Sequence, residues 1–334
     1  MTDISLLLCT RDRAGSLAAT LASIDRAIRA APHLTIEVVI VDNGSTDDAA
    51  DRLATWRKDR PFPVHLLAEP RPGLARARNT GLARTMGRIV AMTDDDCVLH
   101  TDYFGALAAC FADVTGPTII GGRILLGDPR DIAVTVKLED HPMIAAADQF
   151  PGGFVMGANL AMTADAIARI GAFDERFGAG ARFVSAEDTD FLFRAQRQNI
   201  PVRYEPHFTV DHHHGRRDPG DAVKLLAGYA FGDGALYAKH LRHSPRIRGF
   251  IVKDLRDVMK DFTAPVTPCA GIRRFYLFSL RHKIMGFLAY VAAARRLGGI
   301  NAGLDPSRCR NLPGTASWRC GGTRTDALLH RSRE

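Results

Sequence analysis

Three consecutive aspartates, Asp94, Asp95 and Asp96, follow the apolar run of residues 89–93. Adjacent carboxylates repel one another, and a buried strand gains nothing from them. Mg²⁺ and Mn²⁺, however, take oxygen ligands and are commonly held by one or two carboxylates together with the phosphates of a substrate. Such an ion removes the repulsion and can neutralise a leaving diphosphate. The triplet therefore predicts a divalent-cation site, and an acidic turn with an aspartate helix cap is the alternative interpretation.

Polar residues also follow two other apolar runs. Thr10 and Arg11 follow residues 4–9, and Asp42 follows residues 36–41. The next letters, NGSTDD, are typical of a tight turn and a helix cap, which leaves Asp42 without a structural reason. A carboxylate at the end of a strand could accept a hydrogen bond from a nucleotide base or ribose.

Two more groups of polar residues stand further along the chain. Glu187 and Asp188 lie at the start of a run with helical spacing, and Ser185 and Asp188 have the spacing of a capping box variant that would serve only the helix. Three histidines follow residue 211. Taken alone they predict a solvated loop, although His212 and His214 would share one side of an extended strand.

Alternating elements must position these residues. Near-continuous apolar runs of strand length alternate with helical periodicity, which predicts βαβ units and a parallel sheet buried on both faces. The predicted strands are residues 4–9, 36–41, 64–68, 89–93 and 118–126, and the predicted helices are residues 15–30, 46–56, 74–86, 103–112, 164–170 and 185–198. Residues 202–204 and 208–210 are predicted as short extended pieces. Ligands bind beyond the carboxyl ends of such strands, so the fold class is α/β with the polar strand ends at one site.

Charge divides the chain of 334 residues. Residues 1–215 carry 22 Lys and Arg against 28 Asp and Glu, whereas residues 216–334 carry 22 against 9. The basic part turns helical, and residues 272–297 form a basic amphipathic pattern that suits a membrane interface or packing on another helix. It lacks a nucleic-acid reading motif, so an anionic membrane surface contacted through residues 245–300 is preferred and no nucleic acid is expected. The tail of residues 301–334 is predicted to be poorly ordered.

The remaining composition predicts the compartment. The six cysteines form no C-x-x-C pair, which indicates free thiols. The sequence shows no secretory signal and no run of about 18 apolar residues that could span a bilayer. A cytoplasmic protein is expected, peripheral on the inner face of the cytoplasmic membrane.

Seven motifs in order resemble those of family 2 glycosyltransferases, the inverting enzymes with the GT-A fold. The resemblance covers roughly residues 3–215 and is carried by residues 9–13 (CTRDR), 41–47 (VDNGSTD), 73–81 (GLARARNTG), 93–96 (TDDD), 157–161 (GANLA), 171–175 (GAFDE) and 186–194 (AEDTDFLFR). One departure is Arg11-Asp12, where the family often has Tyr-Asn, and this puts the contacts to the base in doubt.

The resemblance implies a donor site for a nucleotide sugar, most often a UDP-sugar. Asp42 matches the position that binds the uracil or ribose, and Thr10 and Arg11 match the loop that lines the base. Arg78 matches the arginine near the nucleotide, with Arg76 as the second choice. Asp95 is expected to face the ribose or the sugar.

The resemblance also implies a metal and a base. Asp94 and Asp96 have the family spacing, Asp96 is the leading ligand for Mn²⁺ or Mg²⁺, and His212, with His214 beside it, could complete the site. An imidazole ligand favours Mn²⁺. Asp188 matches the general base that deprotonates the acceptor hydroxyl, and Glu187 is the alternative or an acceptor-binding group.

The resulting interpretation is an inverting glycosyltransferase with a GT-A domain at residues 1–215, a basic helical extension at residues 216–300 and the tail. Its acceptor would be a glycan or a lipid-linked molecule bound over residues 152–157, with Asn159 nearby. Two alternatives remain: a nucleotidyltransferase acting on a sugar phosphate, and a non-catalytic membrane- or polysaccharide-binding protein on the same fold.

Overall fold

The computed structural model describes residues 2–263 and 271–296 of the chain. Its strands are β1 (Ile4–Thr10), β2 (Ile36–Asp42), β3 (Val64–Ala68), β4 (Ile89–Asp94), β5 (Cys97–Leu99), β6 (Ile119–Leu126), β7 (Met143–Ile144), β8 (Asn159–Thr163) and β9 (Val202–His212). Its helices are α1 (Ala14–Arg29), α2 (Ala49–Lys58), α3 (Leu74–Leu82), α4 (Tyr103–Cys110), α5 (Ala164–Ile170), α6 (Glu187–Arg197), α7 (Pro219–His240), α8 (Pro245–Asp257), α9 (Lys260–Thr263) and α10 (Phe275–Arg296). The predicted α/β class is confirmed.

The strands form one sheet in the order β3-β2-β1-β4-β8-β6-β9-β5, with β7 paired to β9. The half from β3 to β4 is parallel, as predicted. Beyond β4 the sheet is mixed, because β8 is antiparallel to both of its neighbours while β6 and β9 are parallel. Register places Thr10 opposite Asp42 and Cys9 opposite Asp94. The three polar strand ends therefore lie at one edge, where the sequence predicted them.

Side chains of the sheet alternate between two apolar cores. Leu6 and Leu8 of β1 pack with α1 and α4 on one face, whereas Leu7 packs with α3 and α6 on the other. Successive residues of a strand point to opposite faces, so a strand buried on both sides must be apolar throughout. This explains the continuous apolar runs at the four parallel strands.

The helices after residue 216 pack onto the rest of the chain. Their apolar residues form a further core with the segment that precedes α6, which includes Phe177 and Phe183. Asp190 of α6 is fully buried, and Lys239 and His240 of α7 lie 2.6 and 2.8 Å from its Oδ1. These contacts connect α7 to the helix that carries Glu187 and Asp188.

Helices α7 and α10 cross in close backbone contact. A Cβ atom at Gly234 would lie 1.8 Å from the carbonyl oxygen of Lys283, and one at Gly286 would lie 1.8 Å from that of Phe231. Both glycines therefore permit an approach that no other residue allows. The predicted amphipathic helix at residues 272–297 is confirmed as α10, and it packs on another helix.

Three further predictions concern the cysteines, the C-terminal tail and membrane-spanning helices. Cys9, Cys97 and Cys110 are free thiols, as expected; the other three cysteines and the predicted disordered tail, residues 301–334, lie outside the described residues. Within residues 2–263 and 271–296, no helix has the length and apolar character required to cross a membrane.

Candidate functional site

A cavity of about 980 Å³ opens at the carboxyl edge of the parallel strands. Its walls come from the ends of β1 and β4, from residues 150–158 and 179–189, and from helices α7 and α10. Ligand pockets commonly hold about 300–1,000 Å³, so this cavity is large enough for an extended ligand or for two ligands side by side.

The aspartates at the end of β4 occupy different environments. Asp94, the last residue of the strand, keeps 35% of its side chain exposed, and its Oδ1 lies 3.6 Å from Nη2 of Arg78. Asp95 and Asp96 are buried, and burial raises the pKa of Asp95 to about 6. Asp95 borders the cavity together with Thr10, and its contact with a nucleotide sugar stays a prediction.

Asp96 lies between two cationic side chains. Its Oδ2 is 2.6 Å from Nη2 of Arg13, and its Oδ1 is 3.2 Å from Nε2 of His212. Although burial acts in the opposite direction, the hydrogen bond from His212 and the two neighbouring charges hold the pKa of Asp96 below its ordinary value. The carboxylate is therefore ionised in the folded protein.

The geometry of His212 suits a metal ligand. Its Nδ1 lies 3.3 Å from the carbonyl oxygen of Thr135, so an Nδ1–H can donate there. A protonated Nε2 donates to Asp96, and loss of that proton leaves the lone pair of Nε2 facing Asp96. Two acceptor atoms 3.2 Å apart need a proton or a cation between them. Neighbouring ligands of a six-coordinate ion at about 2.1 Å lie about 3 Å apart, so Asp96 and His212 fit a divalent ion.

Cys97 and His214 are neighbours of the Asp96–His212 pair. The Sγ of Cys97 lies within 4.8 Å of the ligand atoms of Asp96 and His212, but burial raises the pKa of Cys97 well above its ordinary value and keeps it a thiol. His214 packs behind His212, with ring centroids 5.2 Å apart, and its Nδ1 accepts a hydrogen bond from the backbone N–H of Arg216. His214 is not brought to the cavity.

Arg78 and Glu187 form a buried ion pair at the side of the cavity. Nη1 of Arg78 donates to Oε1 of Glu187 at 2.8 Å, and the guanidinium also lies over the ring of Phe173. Burial and the charge of Asp188 raise the pKa of Glu187, while the charge of Arg78 opposes that rise. Arg78 thus borders the cavity as predicted, but its principal partner is an acid of the same site. Arg76 is bound at the surface to Glu175 instead.

Asp188 is positioned by the start of α6. The backbone N–H of Gly157 donates to its Oδ2 at 3.1 Å, and that of Thr189 donates to its Oδ1 at 2.6 Å. Ser185 is not the cap that the sequence suggested, because its hydroxyl donates to the carbonyl of Gly228 in α7. The residue before the helix is Ala186, which has a left-handed backbone with φ of 69°. Such strain costs about 1–3 kcal/mol and is concentrated at functional sites.

The residues predicted to contact the nucleotide are only partly at the cavity. Thr10 and Arg11 border it, and so does Asn43. The carboxylate of Asp42 is half-buried at the strand end, where its Oδ1 accepts a hydrogen bond from the backbone N–H of Ser45. Asp42 therefore lies beside the cavity rather than among the residues that line it.

Gly152, Gly153 and Gly157 of the predicted acceptor floor line the cavity, and their contact with an acceptor stays a prediction. Asn159 lies near them but does not border the cavity. Its side chain is fully buried, accepts a hydrogen bond from the hydroxyl of Tyr103 and donates to two backbone carbonyls. Asn159 stabilises the sheet and is not accessible to an acceptor.

Several residues at the cavity were not predicted. Arg13 and Thr135 contact the Asp96–His212 pair, and Tyr229 and Asp233 of α7 border the cavity opposite the strand ends. Arg13 follows β1 closely and belongs to the motif at residues 9–13, so the sequence did indicate that it could lie near the site. The other three lie in regions whose sequence gives no indication of proximity to the strand ends.

Comparison with known proteins finds one matching family model and several related sequences. The model described as glycosyl transferase family 2 matches residues 5–148. The pre-mycofactocin glycosyltransferase of Mycobacterium tuberculosis is 25% identical over 246 residues, which cover 71% of this chain and 48% of that protein. The chain therefore spans about half the length of the curated relatives that it matches first.

Solved structures share the fold. The mannosyltransferase PcManGT from Pyrobaculum calidifontis, in complex with GDP-Man and Mn²⁺, aligns with a TM-score of 0.58 and 18% identity over 86% of each chain. Residues 1–349 of S. aureus TarS, in complex with UDP, align with a TM-score of 0.50 and 15% identity, covering 89% of this chain and 92% of that one. At these identities the likeness bears on the fold, and it confirms the predicted GT-A architecture.

Proposed function

We propose that the chain is a family 2 glycosyltransferase, the family whose model matches residues 5–148, and that it transfers a sugar from a nucleotide-diphosphate sugar to an acceptor hydroxyl with inversion at the anomeric carbon. The observation that carries the proposal is the convergence of Asp188, Asp94 and the Asp96–His212 pair on one cavity of about 980 Å³. A non-catalytic binding module on this fold would have no need of that arrangement.

Asp188 acts as the general base in this proposal. The hydrogen bonds from Gly157 and Thr189 hold its carboxylate in one orientation at the cavity wall. The acceptor oxygen forms a bond to the anomeric carbon while the bond from that carbon to the diphosphate breaks. The proton of the hydroxyl passes to Asp188, and the diphosphate leaves with the electron pair. General-base assistance of this kind contributes about 10²–10⁴-fold to a rate.

The aspartates at the end of β4 would hold the metal ion, and the ion would bind the leaving diphosphate. Asp96 and His212 would ligate Mn²⁺ or Mg²⁺, with Asp94 beside them, and the bound ion would neutralise charge on the departing diphosphate. Arg13 holds Asp96 from the other side and keeps it ionised. The imidazole favours Mn²⁺ over Mg²⁺. Asp95 would face the ribose or the sugar.

The nucleoside would lie over Thr10 and Arg11, with Asp42 at the margin of the cavity. A UDP-sugar is the proposed donor, because the motif around Asp42 matches the uracil-binding position of the family. The two solved neighbours are in complex with ligands that carry different bases, GDP-Man and UDP, so the base is the most informative part of the donor to vary.

A membrane surface is the proposed location of the acceptor. Four apolar residues at helical spacing, Val252, Leu255, Met259 and Phe262, are between 44 and 63% exposed. Exposed basic side chains, such as Lys253, lie along the same segment. An exposed apolar stripe next to cationic residues suits the interface of an anionic bilayer. This supports a peripheral position on the inner face of the cytoplasmic membrane and a glycan or lipid-linked acceptor.

A donor screen tests the proposal. Nucleotide sugars with uracil, guanine and other bases would be compared for their effect on thermal unfolding, with Mn²⁺, with Mg²⁺ and with a chelator. A donor present at 100 times its Kd stabilises the folded state by about 2.7 kcal/mol, so the expected result is a metal-dependent rise in the unfolding midpoint for one class.

Product analysis then separates the alternatives. Release of a nucleoside diphosphate supports glycosyl transfer. Release of pyrophosphate would support a nucleotidyltransferase, and the absence of any nucleotide-dependent stabilisation would contradict both enzymatic proposals.

A further inference from the structure

The wall of the cavity that faces the strand edge comes from the helices after residue 216. Three polar side chains, those of Tyr229 and Asp233 on α7 and Ser279 on α10, border the cavity there. Apolar side chains lie among them, including Leu226 and Phe275. These helices lie outside the residues 5–148 that the family model matches.

Asp233 is the most unusual of these residues. It is half-buried, and no donor among the described residues forms a hydrogen bond with its carboxylate. Lys283, whose charge acts on Asp233, forms its ion pair elsewhere, because its Nζ lies 2.8 Å from Oδ1 of Asp254 and also donates to Tyr237. Asp233 is therefore open to a hydrogen-bonding ligand from the cavity.

The charges around Asp233 come from three elements. Burial raises its pKa to about 7, with Lys283 of α10 opposing the rise and Asp254 of α8 and Asp188 of α6 adding to it. Asp188 and Asp233 both line this cavity, so a ligand bound in it can contact both carboxylates.

The composition of this wall matches the surface of a sugar ring. A pyranose presents an apolar C–H face and a rim of hydroxyl groups. Aromatic and aliphatic side chains can pack on the face, while a carboxylate and two hydroxyls can exchange hydrogen bonds with the rim. The carboxylate of Asp233 repels a phosphate at the same place, although the cationic side chain of Arg216 also borders the cavity.

We propose that Tyr229, Asp233 and Ser279 form the acceptor subsite and that the acceptor presents an uncharged sugar ring there. The inference rests on the proposed function. One hydroxyl of the ring is directed to Asp188, where it loses its proton, and neighbouring hydroxyls bind Asp233 and the two hydroxyl side chains. Asp233 is thus a positioning residue for the acceptor. Any phosphate of a lipid-linked acceptor lies beyond this wall.

The test compares Asp233→Asn with Asp221→Asn in the full-length chain. Asp221 is an exposed aspartate of the same helix whose partner is Lys224, so it controls for the loss of a charge from α7. The probes are a panel of 4-nitrophenyl glycosides of neutral hexoses and the matching hexose phosphates, with the donor found by thermal screening. Three quantities are measured: the donor Kd, the release of nucleoside diphosphate with water as acceptor, and kcat/KM for each probe.

The expected result is transfer to at least one neutral glycoside in preference to the phosphates. Asp233→Asn should lower kcat/KM for that glycoside at least tenfold and leave the donor Kd and the reaction with water within twofold. Asp221→Asn should change none of the three. Unchanged kcat/KM in Asp233→Asn, a preference for hexose phosphates, or diphosphate release with no transfer to any glycoside would overturn the inference.

Failure of the proposed function has a different signature. It would appear in the unsubstituted protein as absence of both donor binding and diphosphate release, before any acceptor is added. The unfolding midpoint of each variant shows whether the protein has folded, and Asn is close to Asp in size, so a loss of fold is not expected from Asp233→Asn.

Discussion

Arg78 and Glu187 connect the stability of the protein to its site at the scale of single residues. Both side chains are buried, and their charges face each other at 2.8 Å. Removing one partner of a buried pair leaves an uncompensated charge, which costs about 3–5 kcal/mol. Arg78→Ala is therefore expected to lower the free energy of unfolding, measured with urea, by about 3 kcal/mol.

Arg76→Ala provides the matched comparison. Arg76 is partly exposed and pairs at the surface with Glu175, and exposed pairs contribute about 0–1 kcal/mol. A loss in Arg76→Ala as large as that in Arg78→Ala would contradict the assignment of the buried role to Arg78.

Asp233 gives a prediction about pH. In the unfolded chain an aspartate titrates near about 4, whereas burial raises the pKa of Asp233 to about 7. Between these values the folded state binds more protons, so the free energy of unfolding falls as pH rises from about 4 to about 7. Asp233→Asn removes this loss. The variant should be more stable than its parent at pH 8, by thermal unfolding, and should have no such advantage at pH 4.

Asp221→Asn serves as the control here as well. Its side chain is exposed on the same helix, so its stability relative to the parent should not change with pH in this manner. An Asp233→Asn variant that is less stable than its parent at pH 8 would contradict the unpartnered state of the carboxylate.

The motifs and the family resemblance named Asp96, His212 and Asp188, and the structure brings all three to one cavity, while their roles stay predictions. The burial of Asn159 was not predictable, because its partner Tyr103 lies 56 residues earlier and only the folded sheet brings them together. Asp233 was not predicted, because nothing in the local pattern of a helix reveals which side chains border a distant strand edge.

At the scale of elements, the parallel half of the sheet was predictable because each strand is a continuous apolar run between helices. The predicted strand at residues 64–68 coincides with β3. Two pieces predicted at residues 202–204 and 208–210 are one strand, β9, and its neighbour β5 has only three residues. Such a short strand exists because β9 pairs with it, a long-range contact that periodicity does not report.

The crossing of α7 and α10 positions one wall of the cavity. Gly286→Ala would place a Cβ against the backbone of Phe231, so the helices must separate. Overpacking of this kind costs about 1–3 kcal/mol. We expect a lower unfolding midpoint and a larger loss in acceptor transfer than in donor affinity, because α10 carries Ser279 into the wall.

Gly249→Ala is the control for this substitution. No atom lies within 4 Å of a Cβ at Gly249 of α8, and alanine is favoured over glycine in a helix by up to about 1 kcal/mol. This variant should be as stable as the parent or more stable. A Gly286→Ala protein that matches Gly249→Ala in stability and transfer would contradict the role given to the crossing.

At the scale of the whole molecule, the charge division suggested an acidic domain with a basic appendage. The structure shows that α7 and α10 border the same cavity as β1 and β4. The domain boundary at residue 215 stays a prediction, but the extension contributes directly to the site. Composition indicates that two regions differ, and it does not indicate where one packs on the other.

The apolar stripe of α8 and α9 leads to a prediction about membranes. The full-length chain should float with vesicles that contain anionic lipid, more than with zwitterionic vesicles, and added salt should weaken the association. Replacing Leu255 and Met259 together by Glu should reduce flotation severalfold, because both side chains are more than half exposed on the stripe.

Met86→Glu is the control for flotation. Met86 is 68% exposed but lies beyond α3, away from the stripe. Equal flotation of the parent and the double variant would contradict membrane contact through this segment.

The central claim is that Asp188 removes the proton of the acceptor in a metal-dependent sugar transfer. The most direct measurement is the turnover of Asp188→Asn, with the donor Kd determined by calorimetry in the presence of Mn²⁺. Asp165→Asn is the control, because Asp165 also lies in the first turn of a helix but is exposed. The account predicts that Asp188→Asn lowers kcat by at least about 100-fold with the donor Kd within twofold, and that Asp165→Asn behaves as the parent. Turnover of Asp188→Asn within tenfold of the parent would contradict it.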